Sequence, residues 1–159
     1  MARASTARGE TSASQARALK LWVVLSRAHA AIEAHARAHV AAHELTLPEF
    51  GILEVLYHKG RMLLGEVQRK ILVSSGGITY LVDRLEARGL VERIENPDDR
   101  RARFVSLTRQ GEKLIQRIFP EHARVLERAL AGLDAGEQED AIDLLRRLGT
   151  SAASLERSE

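Results

Sequence analysis

Ile78, Leu81, Val82 and Leu85 stand at i, i+3, i+4 and i+7 within residues 72–89, the spacing of one buried stripe on a helix. Glycine at 89 is a good stop for it, because glycine adopts the left-handed conformation at little cost. The opposite face carries Ser75, Gly76, Thr79, Tyr80, Asp83 and Arg84. Immediately upstream, Leu64, Val67 and Ile71 mark a shorter helix over 63–72, leaving only Val73 and Ser74 as a connection. A third helix is signalled ahead of these. Thr46 and Glu49 match a capping box, Leu45 and Phe50 occupy the positions of a hydrophobic staple, and Pro48 falls in the first turn, where its missing N–H costs nothing.

Downstream the periodicity changes to that of strands. Residues 90–94 and 103–107 are short extended runs around the segment NPDDRRA, which reads as a β-hairpin with Asp98, Asp99, Arg100 and Arg101 at its tip. Helix, helix, helix, hairpin is the order of a winged helix-turn-helix. A polar helix face of small residues suits the major groove of double-stranded DNA, and an arginine-bearing hairpin suits the negative potential of the minor groove. Ser75, Thr79 and Tyr80 are therefore expected to reach base edges, Ser74 and Arg84 to hold phosphates, and the Gly76-Gly77 pair to allow close approach of the backbone. Arg93 and Arg103, on the hairpin strands, are candidates for the flanking backbone, and Asp83 for an ion pair with a nearby basic residue.

The chain outside this unit reads as long helices. Residues 15–43 hold neither Gly nor Pro and are rich in alanine. Thr108 opens another helix, which Pro120 is expected to kink. Asp134 and Glu137 form a second capping box, with Ile142, Leu145 and Leu148 on one side of the helix that follows. A winged helix of this size cannot bury all three apolar faces, so a second copy of the chain is expected to cover them. In the first helix Trp22, Leu25, His29, Ile32, Ala36, His39 and His43 alternate spacings of three and four, a packing seam that contains three histidines. Trp22, His29, His39 and His43 are the candidates for a small-molecule site. His39 and His43 also have the i, i+4 spacing of a zinc pair, which His58 or His122 could join, but the sequence shows no second clear pair of ligands, so neither metal nor cofactor is expected.

Composition narrows the function further. Net charge is only +2, yet residues 59–103 carry ten basic against seven acidic side chains, while residues 121–159 carry five against nine. Positive charge thus gathers on the expected DNA face. The absence of cysteine excludes disulfides and thiol-based redox sensing, and a 4% aromatic content disfavours single-strand binding by stacking. Nucleophile-elbow, zinc-protease and phosphate-loop motifs are missing, which argues against an enzyme. No apolar run approaches a membrane span and the first residues lack a signal-peptide core, so a cytoplasmic protein is expected. Residues 1–14, basic and aperiodic, read as a disordered tail.

The segments SSGGITYLVDRLEARGLVER and DDRRARFVSLTRQG together resemble the MarR family of transcriptional regulators, a resemblance running from Leu19 to Leu148. The string EFGILEVLYHKG is similar to a quinone- and phenol-responsive branch. The resemblance implies a homodimer on a pseudo-palindromic operator, with transcription relieved by a small ligand or by oxidation, and the branch similarity points to a phenolic or quinone-like effector. It also implies that Arg101 enters the minor groove with Asp99 bracing it through an ion pair. The expected layout is a mainly α fold with a small β-hairpin wing: an N-terminal dimerisation helix (15–45), a winged helix-turn-helix (46–108) and C-terminal dimerisation helices (109–159). The alternatives are a winged-helix protein-interaction module without DNA binding, or a metal-responsive regulator using the histidines of the first helix.

Overall fold

The computed structural model describes residues 11–71, 75–99 and 101–155. Among them the chain forms α1 (Ala13–Ala41), α2 (Leu47–Lys59), β1 (Met62–Leu63), α3 (Leu64–Ile71), α4 (Ser75–Ala87), β2 (Val91–Glu95), β3 (Arg103–Leu107), α5 (Arg109–Leu130) and α6 (Ala135–Leu155). The strands make one antiparallel sheet in the order β1-β3-β2. This is the mainly helical winged fold read from the sequence, with one strand more than the hairpin requires. Leu63, read as helical, pairs instead with Phe104 in β1. Two residues are too short a strand to show a period of their own.

The helix starts follow from their caps. Thr46 Oγ1 accepts from the Glu49 amide at 3.4 Å, and Glu49 Oε2 accepts from the Thr46 amide at 2.7 Å. Asp134 and Glu137 close the second box, with both bonds at 2.9 Å. A third box, Ser12 with Gln15, opens α1 at Ala13, two residues ahead of the expected Gln15. Gly89 takes φ +68°, as its role as a stop demands. Thr108 caps α5 by accepting from the Gly111 amide at 3.0 Å and donates to the Gly89 carbonyl at 2.6 Å, so α5 starts directly against the end of α4. Pro120 lies inside α5, which continues to Leu130.

One core joins the elements. Val40 of α1, Phe50, Ile52 and Leu53 of α2, Val67 of α3, the stripe Ile78, Leu81, Val82 and Leu85 of α4, and Val105 of β3 are buried together. Ile115 and Ile118 of α5 belong to the same cluster, so the core runs across the division expected at residue 108. The two ends of the chain behave differently. Leu19, Leu21, Trp22, Val23 and Val24 of α1 are exposed, and α6 has no buried residue in its 21-residue length although Ile142, Leu144, Leu145 and Leu148 lie along it.

Candidate nucleic-acid interface

With its apolar stripe sealed in the core, α4 turns Thr79 and Tyr80 outward, and Tyr80 is 60% exposed. Ser75 begins this helix and Gly77 lies in its first turn. Ser74, Arg100 and the side chain of Ser75, three of the expected DNA contacts, lie outside what the structure describes.

The arginines divide into two groups. Arg93 on β2 reaches back to α4, where its Nη2 donates to Asp83 Oδ1 at 2.6 Å and its Nη1 pairs with Glu86. Its backbone amide also donates to Glu86 Oε1 at 3.1 Å. Burial by itself would lower the pKa of Arg93, but hydrogen bonds and charge from Asp83 and Glu86 outweigh it and hold the guanidinium more firmly protonated. This clamp fixes the wing relative to α4, and it supplies the basic partner expected for Asp83. Arg103 pairs with Glu95 at 2.8 Å, directly across the β2–β3 ladder.

Arg84, expected to hold a phosphate, has a side chain 42% exposed that also reaches a buried carboxylate. Its Nε lies 3.2 Å from Oε1 of Glu49, whose side chain is 0% exposed, and its guanidinium carbon sits 5.8 Å from the Tyr80 ring centroid. The Glu49 oxygen facing it makes no hydrogen bond, so the contact is one of charge at close range rather than of aligned donor and acceptor. The sequence showed Glu49 as a cap but gave no sign that its second oxygen would face α4.

The wing tip also departs from expectation. Asp99 Oδ1 accepts from the backbone amide of Arg101 at 2.9 Å, and the Ala102 amide donates to the Asp99 carbonyl at 3.0 Å. Asp98 is held in the same manner by Asn96 Oδ1. Asp99 therefore shapes the turn through the backbone. Among the described residues the Arg101 guanidinium has no ion pair and is exposed.

The four residues proposed for a small-molecule site do not converge within one chain. Trp22 and His29 are exposed, and the 17 residues from Trp22 to His39 span roughly 25 Å of helix. The other end of the seam gathers differently. His39 Nδ1 is 3.2 Å from His122 Nδ1, the His39 and His43 rings are 5.2 Å apart, and His122 packs on Phe50 at 4.3 Å. Burial, reinforced by the charge of His39, lowers the pKa of His122 and favours its neutral form. His58 packs instead on Tyr57 and Phe119. A cleft of about 690 Å³ opens between α1, α2 and α3, with Leu47, Val55 and Ile71 as apolar lining and Arg37, Lys59 and Lys70 as cations. Glu54 also faces it, its carboxyl pushed above the ordinary value by burial and only partly drawn back by His58.

The fold and this interface define a winged helix-turn-helix protein, and among the described residues no helix is long and apolar enough to cross a membrane. The MarR family signature matches residues 43–102. The HTH-type transcriptional regulator MhqR of Bacillus subtilis is 42% identical over 136 residues, covering 86% of this chain and 94% of that protein. A second regulator of that organism, the uncharacterized YkoM, is 34% identical across 87% of this chain and 90% of its own length. Among solved structures, BpsR of Bordetella bronchiseptica, whose DNA binding is regulated by 6-hydroxynicotinic acid, superposes with a TM-score of 0.75 at 25% identity, covering 82% of this chain and 98% of BpsR. Sco3205 of Streptomyces coelicolor, solved in complex with DNA, shares the fold with a TM-score of 0.80 at 20% identity over 92% of each chain. The chain belongs to the MarR family of transcriptional regulators, and it is not an enzyme.

Proposed function

We propose that the protein is a cytoplasmic, homodimeric repressor that places α4 in the major groove of a pseudo-palindromic operator and the wing in the adjacent minor groove. The observation that carries this reading is the outward face of α4, with Thr79 and Tyr80 exposed, held by the Arg93 clamp at a fixed position relative to a wing whose Arg101 is exposed and, among the described residues, has no ion pair. Ser75, Thr79 and Tyr80 read bases, Ser74, Gly77 and Arg100 face the backbone, and Arg101 supplies the groove cation. Two copies joined through α1 and α6 would present two such faces about one helical turn, roughly 34 Å, apart. Duplexes from the protein's own promoter region, titrated by fluorescence anisotropy across a salt series, test it. Arg101→Ala should weaken binding by about 1–3 kcal/mol, most at A/T-rich flanks. Equal affinity on all such sites would remove the wing from the account.

Relief by a small phenolic or quinone-like effector fits the cleft between α1, α2 and α3. Its volume of about 690 Å³ lies in the range of small-molecule sites, and an apolar lining edged by Lys59 and Lys70, with Arg37 paired to Glu33 at 2.7 Å, suits a flat ring bearing a negative oxygen. The cleft lies between the helix assigned to the dimer and the two helices that precede α4, where an occupant alters the separation of the DNA-reading faces. A coupling of about 1–3 kcal/mol is enough for release. Hydroxylated aromatic acids, phenols and quinones titrated into a preformed DNA complex test this, and no release by any of them would leave a constitutive binder.

A further inference from the structure

We propose that His39, His43 and Glu121 form a binding site for a first-row divalent cation of the zinc class. The reading does not depend on whether the chain binds DNA. His39 lies in the last turn of α1, His43 in the turn that follows Ala41, and Glu121 comes from α5, and one ligand atom from each lies within 4.8 Å of the other two. A tetrahedral ion with ligand bonds of about 2.0–2.1 Å needs its ligands roughly 3.4 Å apart, so the set is slightly open. Glu121, whose side chain is 62% exposed, has room to swing toward the two imidazoles and leaves a side open to solvent.

The independent observation is on His39. Its side chain is only 8% exposed, yet its Nε2 is buried with no hydrogen-bond partner, and Glu121 Oε2 lies 3.9 Å away, on the right side but beyond hydrogen-bond reach. A buried ring nitrogen without a partner is costly and uncommon. The other ring nitrogen is already committed, because Nδ1 faces His122 Nδ1 at 3.2 Å. With the proton on that side, Nε2 keeps a free lone pair 3.9 Å from Glu121 Oε2. Metal-binding imidazoles are commonly fixed in this way by a hydrogen bond at the far nitrogen. Two imidazoles and one carboxylate select zinc and its neighbours over magnesium or calcium, which prefer all-oxygen sites. Three protein ligands leave a fourth position for water.

The site ties the end of α1 to the middle of α5, with Phe50 of α2 beneath His122. The test uses the untagged full-length protein in chelator-treated buffer, with Co²⁺ as the spectroscopic probe and Zn²⁺ as competitor. One Co²⁺ per protomer should bind with the strong visible absorption of a four-coordinate ion and be displaced by Zn²⁺, and Zn²⁺ should raise the thermal midpoint. His43→Ala and Glu121→Ala should each lower affinity by more than the roughly 10- to 100-fold that loss of an orienting partner costs. Glu121→Ala changes an exposed side chain and keeps the metal-free fold. His29→Ala, on an exposed stretch of the same helix, should bind as the parent does. Absence of a saturable site of one per protomer, or equal affinity in the His43→Ala/Glu121→Ala double variant, overturns the proposal.

Discussion

Replacing Arg84 by methionine separates two roles for one residue. If Arg84 is a phosphate contact, the variant folds normally and loses DNA affinity almost uniformly, with the salt slope falling by about 0.9 per half-site. If its main partner is Glu49, the variant leaves a fully buried carboxylate facing no cation. Breaking a fully buried pair costs about 3–5 kcal/mol. Arg84 is 42% exposed, so water screens part of that, and about 1–3 kcal/mol is the appropriate expectation. Against a total stability of about 5–15 kcal/mol this is large, and for a domain of this size it lowers the thermal midpoint by roughly 2–4 °C per kcal/mol. The control is Glu49→Gln. Glutamine preserves the capping box with Thr46 while removing the charge, so the double variant Glu49→Gln/Arg84→Met should recover most of the loss. Urea unfolding of the four proteins at one protomer concentration gives the coupling energy, expected above about 1 kcal/mol. A coupling within about 0.3 kcal/mol of zero, together with a reduced salt slope, would refute the ion-pair reasoning and return Arg84 to the DNA.

Other perturbations follow from the same geometry. Gly111→Ala should destabilise strongly, because an added Cβ would lie 1.9 Å from the Leu90 carbonyl oxygen, and backbone there cannot yield without lifting α5 from α4; a normal urea midpoint would count against the packing described. Leu145→Asp, on the unburied face of α6, should shift the proposed dimer to monomer in sedimentation, since burying each such leucine contributes about 1.5–3 kcal/mol; an unchanged dimer would place the interface elsewhere. The raised pKa of Glu54 means that the folded chain holds this proton more tightly than the unfolded one, so the native carboxyl costs stability as pH rises from about 4.5 through the folded value. Glu54→Gln should therefore be increasingly more stable than the parent above that pH and equal to it below, and parallel stability curves from pH 4 to 8 would contradict the assignment.

The sequence revealed most where one local rule acts alone. The stripe of α4, the boxes at Thr46 and Asp134, and the left-handed Gly89 are each set by residues within a turn of one another, and each is found as read. What stayed hidden was the choice of partner across space. Nothing in the spacing distinguishes an arginine that meets DNA from one that meets Glu49, or from one that clamps a strand to a helix as Arg93 does. The same limit applies to the histidines. Their i, i+4 spacing on α1 was legible, but Glu121 and His122 join them only because α5 crosses that end of α1. The short strand β1 was lost for another reason, since it exists only through its register with β3.

These pairings change how the basic charge of residues 59–103 should be counted. Arg84, Arg93 and Arg103 are each neutralised by a carboxylate of the same subunit, so they stiffen the frame that carries the interface more than they add to its field. Arg93 matters most in this respect, since it bonds Asp83 and Glu86 on α4 from a strand of the wing and ties together the two elements proposed to enter different grooves. Rigid placement of contacts is what allows a few exposed side chains to discriminate between sequences, because the ordering cost is met during folding rather than at binding. In the proposed complex, sequence readout would then rest on Thr79, Tyr80 and their helical neighbours, and the groove charge on the turn that Asp99 shapes around Arg101.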